Sequence, residues 1–182
     1  MEPKRILGID PASRTGWAYL GADGRRLFGG WVIAKNTDRH PGDRLRRFRD
    51  GLRELAAGFP VDLVACEDSC LGVGERSRQT LRMHAELLAV VKLLAADLGV
   101  PVVFYAPITI KAFAGCAGKT TRGDKSAMVR ACNRLLDIET DDDDAADALF
   151  ILEMARQGIA PPAKSAKRAT GKPRAKPQGR LF

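Results

Sequence analysis

Residues 4–20 read Lys4-Arg5-Ile6-Leu7-Gly8-Ile9-Asp10-Pro11-Ala12-Ser13-Arg14-Thr15-Gly16-Trp17-Ala18-Tyr19-Leu20. A mostly apolar run ends in an acid, a Pro-Ala-Ser-Arg-Thr-Gly segment turns the chain, and an apolar run resumes. That pattern predicts two short strands joined by a tight turn. Ala22-Asp23-Gly24 supplies a second turn and Leu27 to Ile33 a third strand, so the chain opens as an antiparallel meander. The acid matters as much as the strand it closes. Acidic residues are poor strand formers, and a second apolar run, Val61-Asp62-Leu63-Val64-Ala65-Cys66-Glu67, ends the same way.

Working outward, Arg44 to Ala57 carries Leu45, Phe48, Leu52 and Leu55 at helical spacing, and Pro60 ends it. Val61 to Glu67 is the expected fourth strand. A polar, glycine-bearing loop spans Asp68 to Ser77. A long helix is predicted from about Arg78 to Leu98. Its apolar residues fill two stripes: Met83, Leu87, Val90 and Leu94, and Leu81, Ala85 and Leu88. So wide an arc exceeds what one sheet face requires and suits either a partner subunit or a helix enclosed in its own domain. Val100 to Tyr105 is a fifth strand, and Pro107 opens a short helix. Gly115 to Asp124 is a loop, with Asp124 capping a helix to about Leu136. A last helix runs from near Asp143 to near Gln157, before Gly158 and Pro161-Pro162. This order predicts a layered α/β fold around a five-stranded mixed sheet, three antiparallel strands joined by parallel additions.

In open α/β sheets, groups at the carboxyl ends of strands reach the ligand crevice. Asp10 and Glu67 meet there if the first and fourth strands are neighbours. Asp144 and Asp147 are three apart on the last helix and share a face with Ala148, Ile151 and Ala155. Helix capping accounts for Asp141, Asp142 and Asp143, but not for Asp147, which lies inside the helix on its apolar side. Converging carboxylates repel, by about 4 kcal/mol per pair at 4 Å and an effective dielectric of 20. Divalent cations relieve that repulsion, and an all-oxygen donor set suits Mg²⁺ or Mn²⁺. The four acids therefore read as a two-metal site.

Composition narrows the alternatives. The chain has 182 residues, enough for one domain with a real core, here expected over residues 1–160. No apolar stretch spans a bilayer and Met1-Glu2-Pro3-Lys4-Arg5 is no signal peptide, so a cytoplasmic location is expected. Cys66, Cys70, Cys116 and Cys132 form no Cys-x-x-Cys pair, which argues for free thiols over zinc or disulfides. The net charge of +8 is uneven, because residues 163–182 hold seven basic residues and no acid, leaving about +1 for the body. Residues 161–182 are too poor in apolar side chains to offset their ordering entropy and are expected to be a disordered basic tail. Lys164, Lys167 and Arg168 begin it. Such arms commonly meet polyanions, above all nucleic acid.

These motifs together resemble the RuvC family of Holliday junction resolvases. Ile6-Leu7-Gly8-Ile9-Asp10-Pro11-Ala12-Ser13-Arg14-Thr15-Gly16 is similar to the family's opening motif, and the strand ending in Glu67 to its second acidic strand. Tyr105-Ala106-Pro107, Gly123-Asp124-Lys125-Ser126 and Asp144-Ala145-Ala146-Asp147-Ala148-Leu149 match later landmarks in the same order, over about residues 4–157. The resemblance implies a ribonuclease H-like fold, a homodimer, and cleavage of branched DNA with two Mg²⁺ ions per site, Mn²⁺ substituting. It implies nicks with 5′-phosphate and 3′-hydroxyl ends, catalytic acids at Asp10, Glu67, Asp144 and Asp147, and Lys125 beside the scissile phosphate. Arg76, Arg78, Lys119 and Arg122 lie on or beside loops near the crevice and are candidate phosphate contacts.

Two departures separate this chain from the family, and the lysine-rich tail, which is not a general family feature, is one of them. An aromatic wedge follows the second acid in RuvC enzymes, whereas Asp68-Ser69-Cys70-Leu71-Gly72-Val73-Gly74 contains no aromatic residue. A nuclease of the same fold acting on forks, flaps or other branched intermediates therefore stays open, as does a phage-type relative. Two other readings fit less well. Asp10 to Gly16 also looks like the first phosphate loop of actin and sugar kinases, but the chain lacks the second half that architecture needs. Gly118-Lys119-Thr120 imitates a Walker A loop, but Phe113 stands where the first glycine belongs. No nucleotide is expected to bind. A non-catalytic DNA-binding protein of this fold would not need intact acids.

Overall fold

Apolar side chains alternate in burial-competent pairs along the first strand, and the fold puts that strand in the middle. The computed structural model describes residues 4–68, 78–116 and 126–160. Strand β1 (Ile6–Asp10) pairs antiparallel with β2 (Arg14–Leu20), which pairs antiparallel with β3 (Arg26–Val32). On the other side, β1 pairs parallel with β4 (Leu63–Glu67), and β4 with β5 (Val102–Tyr105). The order β3-β2-β1-β4-β5 is the predicted mixed sheet. Strand β4 begins two residues later than its apolar run, because Asp62 turns its carboxylate onto the Arg5 amide at 2.8 Å.

Among the described residues five helices cover the sheet: α1 (Asp43–Gly58), α2 (Arg78–Leu98), α3 (Pro107–Phe113), α4 (Ser126–Leu136) and α5 (Asp143–Arg156). Period-two alternation divides the strands between two cores. Leu7, Ile9, Val64 and Cys66 pack with Phe48 and Leu52 of α1 and Leu87, Val91 and Leu94 of α2. Ile6, Ala18, Leu20, Leu63, Ala65 and Tyr105 pack against α5 and its neighbours α3 and α4.

Helix α5 differs from its expected one-sided burial. From Ala145 to Ala155 every residue except Asp147 is buried, because the sheet covers one side while α3 and α4 cover another. The one acid deep in that run, Glu153, accepts from Arg156 Nε at 2.9 Å and Gln157 Nε2 at 3.0 Å, with Arg26 at 3.4 Å. Helix α2 resolves the question of its broad apolar arc in part. Leu87, Leu88, Val91, Leu94 and Ala95 are buried within the domain, while Ala85, Ala89, Leu93 and Ala96 face outward. Cys66, Cys116 and Cys132 are buried free thiols, and Cys70 lies outside the described residues. Among the described residues no helix is long and apolar enough to cross a membrane. The expected tail, residues 161–182, and the expected cap at Asp124 lie outside them.

Candidate active site

Two strand ends and one helix start build the site. Asp10 is the last residue of the central strand, opposite Gly16 in the β1–β2 ladder. Ile9 pairs with Cys66, so Asp10 and Glu67 occupy the next row of adjacent parallel strands. Alternation puts both on the face that carries Ile6, Leu63 and Ala65, the α5 face.

Helix α5 reaches them because the strands beneath it carry glycine at the points of closest approach. A Cβ on Gly16 would lie 1.9 Å from the Asp144 carbonyl oxygen, and one on Gly8 would lie 2.7 Å from that of Ala148. On the third strand a Cβ at Gly30, which pairs with Gly16, would come within 3.2 Å of Asp142 Oδ2. Backbone thus touches backbone, and the first turn of α5 settles directly over the end of β1. Asp142 caps that turn: its Oδ1 accepts from the N–H of Asp144 at 3.1 Å and of Ala145 at 3.2 Å. Asp147 follows Asp144 by three residues on the same helix.

The electrostatics record this convergence. Asp10 is 9% exposed, and its carboxyl is held well above the usual value of 3.8, first by burial and then by Glu67, Asp147, Asp144 and Asp143. Asp147 also acts with burial to push the Cys132 thiol up to about 12. Asp10 and Glu67, together with burial, raise the Cys66 thiol on the opposite face. A buried carboxyl surrounded by carboxylates is a site awaiting positive charge.

The donor chemistry fits a divalent cation. Every candidate donor is a carboxylate oxygen, the preference of hard ions. Asp142, Asp143 and Asp144 each bring a ligand atom within 4.8 Å of the others. Asp142, however, already spends one oxygen on the helix cap and pairs the other with Arg14, which agrees with the capping role read for it from sequence. A cavity of about 830 Å³ lies at the opposite end of the sheet, lined by Lys4, Arg26 and Arg156 among others, and includes none of the four acids.

Arg14 is the residue that sequence reading passed over. Its Nε lies 2.9 Å from Asp144 Oδ2 and its Nη2 pairs with Asp142 Oδ2. The signal was present: two residues before Gly16 on β2, Arg14 shares by alternation the face of Asp10's ladder partner. Of the other candidates, Arg78 opens α2, but its side chain is outside the described set. Lys125, Arg76, Lys119, Arg122, Lys164, Lys167 and Arg168 also lie outside the described residues.

Known proteins resemble this arrangement over most of its length. A family model described as crossover junction endodeoxyribonuclease RuvC matches residues 6–153. A protein of that name from Methylobacterium radiotolerans is 36% identical over 153 residues, covering 82% of this chain and 71% of its own. Another, from an Anaeromyxobacter species, is 36% identical over 174 residues, covering 90% and 88%. Among solved structures, RuvC of Thermus thermophilus superposes with a TM-score of 0.65 at 21% identity, covering 86% of this chain and 98% of that one. The same enzyme in complex with a Holliday junction substrate gives 0.65, covering 87% and 98%. These structural likenesses establish the ribonuclease H-like fold.

Proposed function

The chain belongs to the RuvC family of crossover junction endodeoxyribonucleases, and from that premise we propose that it resolves four-way DNA junctions by paired phosphodiester hydrolysis, leaving 5′-phosphate and 3′-hydroxyl ends. The observation that carries this reading is the buried Asp10 carboxyl with Glu67, Asp144 and Asp147 acting on it. Asp10, central and least exposed of the four acids, would hold the cations together with Glu67, Asp144 and Asp147. Mg²⁺, or Mn²⁺ in its place, supplies Lewis-acid stabilisation of phosphoryl charge and a more acidic water. The residues themselves do the positioning. Asp10 and Glu67 stand on adjacent rigid strands, and Asp144 and Asp147 on a helix enclosed by the core, so the donors keep their geometry when DNA arrives. Lys125 is assigned to the scissile phosphate, where a fixed cation offsets developing negative charge.

A four-way junction has two-fold symmetry, and a two-fold dimer of this chain presents two such sites to like strands. The outward stripe of Ala85, Ala89, Leu93 and Ala96 supports a homodimer built on α2, with Leu93 63% exposed. Arg76, Arg78, Lys119 and Arg122 are assigned to phosphates around the crevice. Residues 1–160 are the nuclease domain and 161–182 a basic arm in which Lys164, Lys167 and Arg168 add sequence-independent affinity. The protein is assigned to the cytoplasm, in keeping with a nuclease that acts on DNA.

The aromatic-free sequence from Asp68 to Gly74 favours one second reading, a nuclease of the same fold that cuts forks or flaps. Cleavage of end-labelled four-way junction, fork, flap and linear duplex, with Mg²⁺ and with Mn²⁺, separates the two. Resolution predicts symmetric nicks in the four-way junction and little cutting of linear duplex. Preferential cutting of flaps or forks transfers the assignment to the second reading.

A further inference from the structure

We infer that Arg14 is a positioning residue for the cation site, setting the orientation of the Asp144 carboxylate before any ion binds. The inference rests on the reading of the acids as a metal site. Three contacts form one relay. Asp142 Oδ1 holds the first amides of α5, Asp142 Oδ2 pairs with Arg14 Nη2, and Arg14 Nε forms an ion pair with Asp144 Oδ2 at 2.9 Å. A guanidinium suits this task because Nη2 donates to Asp142 while its rigid, permanently charged plane keeps Nε in ion-pair range of Asp144. Its backbone anchor is equally fixed: Arg14 is the first residue of β2, two residues from the glycine that abuts the Asp144 carbonyl.

Asp144 acts on the buried Asp10 and lies close to Asp143, and mutual repulsion drives such a side chain toward water. Arg14 opposes that rotation. Its charge also opposes a cation, so orientation and repulsion act on metal affinity with opposite signs. Exposure decides between them. The Arg14 side chain is 47% exposed and the Asp144 side chain 15%. Solvent screens the arginine's long-range charge, while the short contact to a mostly buried carboxylate persists. Removing Arg14 therefore weakens metal binding. Arg14 itself is not a metal ligand.

The test measures Mn²⁺ binding to the full-length protein without DNA, by the loss of free Mn²⁺ electron paramagnetic resonance signal, for the unaltered protein, Arg14→Gln, Arg14→Lys and Asp142→Asn. Outer partners of metal ligands are worth about 10–100-fold in affinity, and Arg14→Gln is expected near the lower end of that range. Arg14→Lys, which keeps the charge and loses the rigid plane, falls between. Asp142→Asn retains a good capping oxygen while weakening the link to Arg14, so it reproduces the direction of the effect with α5 intact. In cleavage assays the Mn²⁺ needed for half-maximal rate rises, while kcat at saturating Mn²⁺ stays within a few-fold. Unchanged or tighter Mn²⁺ binding in Arg14→Gln and Asp142→Asn overturns the inference and leaves the metal site standing. So does a fall in kcat with no change in Mn²⁺ affinity, which assigns Arg14 to DNA instead. Failure of the unaltered protein to bind Mn²⁺ overturns the metal reading itself, and Arg14's role with it.

Discussion

Asp10 concentrates the conflict between stability and function in one side chain. Its carboxyl is raised by burial and by its acidic neighbours, so the folded chain holds a proton that the unfolded chain releases more readily. By linkage, stability falls as pH rises above the ordinary value of 3.8 toward the raised value, and the penalty vanishes below 3.8. Asp10→Asn removes the buried charge without changing shape. In metal-free buffer at pH 8 the variant is expected to melt higher than the unaltered protein, and at pH 3.5 the two should converge. Addition of Mg²⁺ should raise the melting temperature of the unaltered protein more than that of the variant. Equal melting temperatures at pH 8 would mean that the carboxyl is not strained. Sequence made Asp10 and Glu67 legible because an acid closing an apolar strand breaks the local pattern. Arg14 remained hidden because an arginine in a turn is ordinary, and only the approach of α5 gives it two carboxylates to hold.

At the scale of elements, α5 and the glycines beneath it decide whether the acids meet. Gly16→Ala places a methyl 1.9 Å from the Asp144 carbonyl oxygen, which no rotamer relieves because both partners are backbone. Overpacking of this kind costs about 1–3 kcal/mol, readable in urea unfolding, and displaces Asp144 from Asp10, so cleavage should fall even where the protein is fully folded. Gly24→Ala is the control. Its φ of +81° makes alanine strained, at about 1–2 kcal/mol, but nothing lies within 4 Å of the added methyl. It should lose stability and keep cleavage. Equal loss of cleavage in both variants would detach the helix contact from the site. The strands and α1 were readable because alternation and the spacing of Phe48 and Leu52 are local signals. The enclosure of α5 was not, since residues such as Ala145 and Leu149 give a helix no preferred face, and what covers it is decided by the sequence-distant strands β1 and β2 together with α3 and α4.

Across the whole molecule, charge is divided unevenly along the sequence. The body carries about +1 and residues 163–182 the other seven positive charges. On the proposed reading, affinity for DNA and the chemistry performed on it draw on different parts of the chain, so the two can be tested apart. The class of fold was legible because strands, helices and acids fall in one order along the sequence. The layout of α2 was half legible, because its pattern shows a wide apolar arc and not which part of that arc the domain keeps for itself. Separation of binding from cutting gives the decisive comparison: the unaltered protein and Asp10→Asn, each with a labelled four-way junction and Mg²⁺, followed for both retention of the junction and appearance of nicks. Asp10→Asn is expected to bind within a few-fold of the unaltered protein and to produce no nicks, because the carboxylate proposed to hold the cations is gone while the proposed phosphate contacts are unchanged. Nicking by Asp10→Asn at an undiminished rate would contradict the assignment of the converged carboxylates as the cutting site.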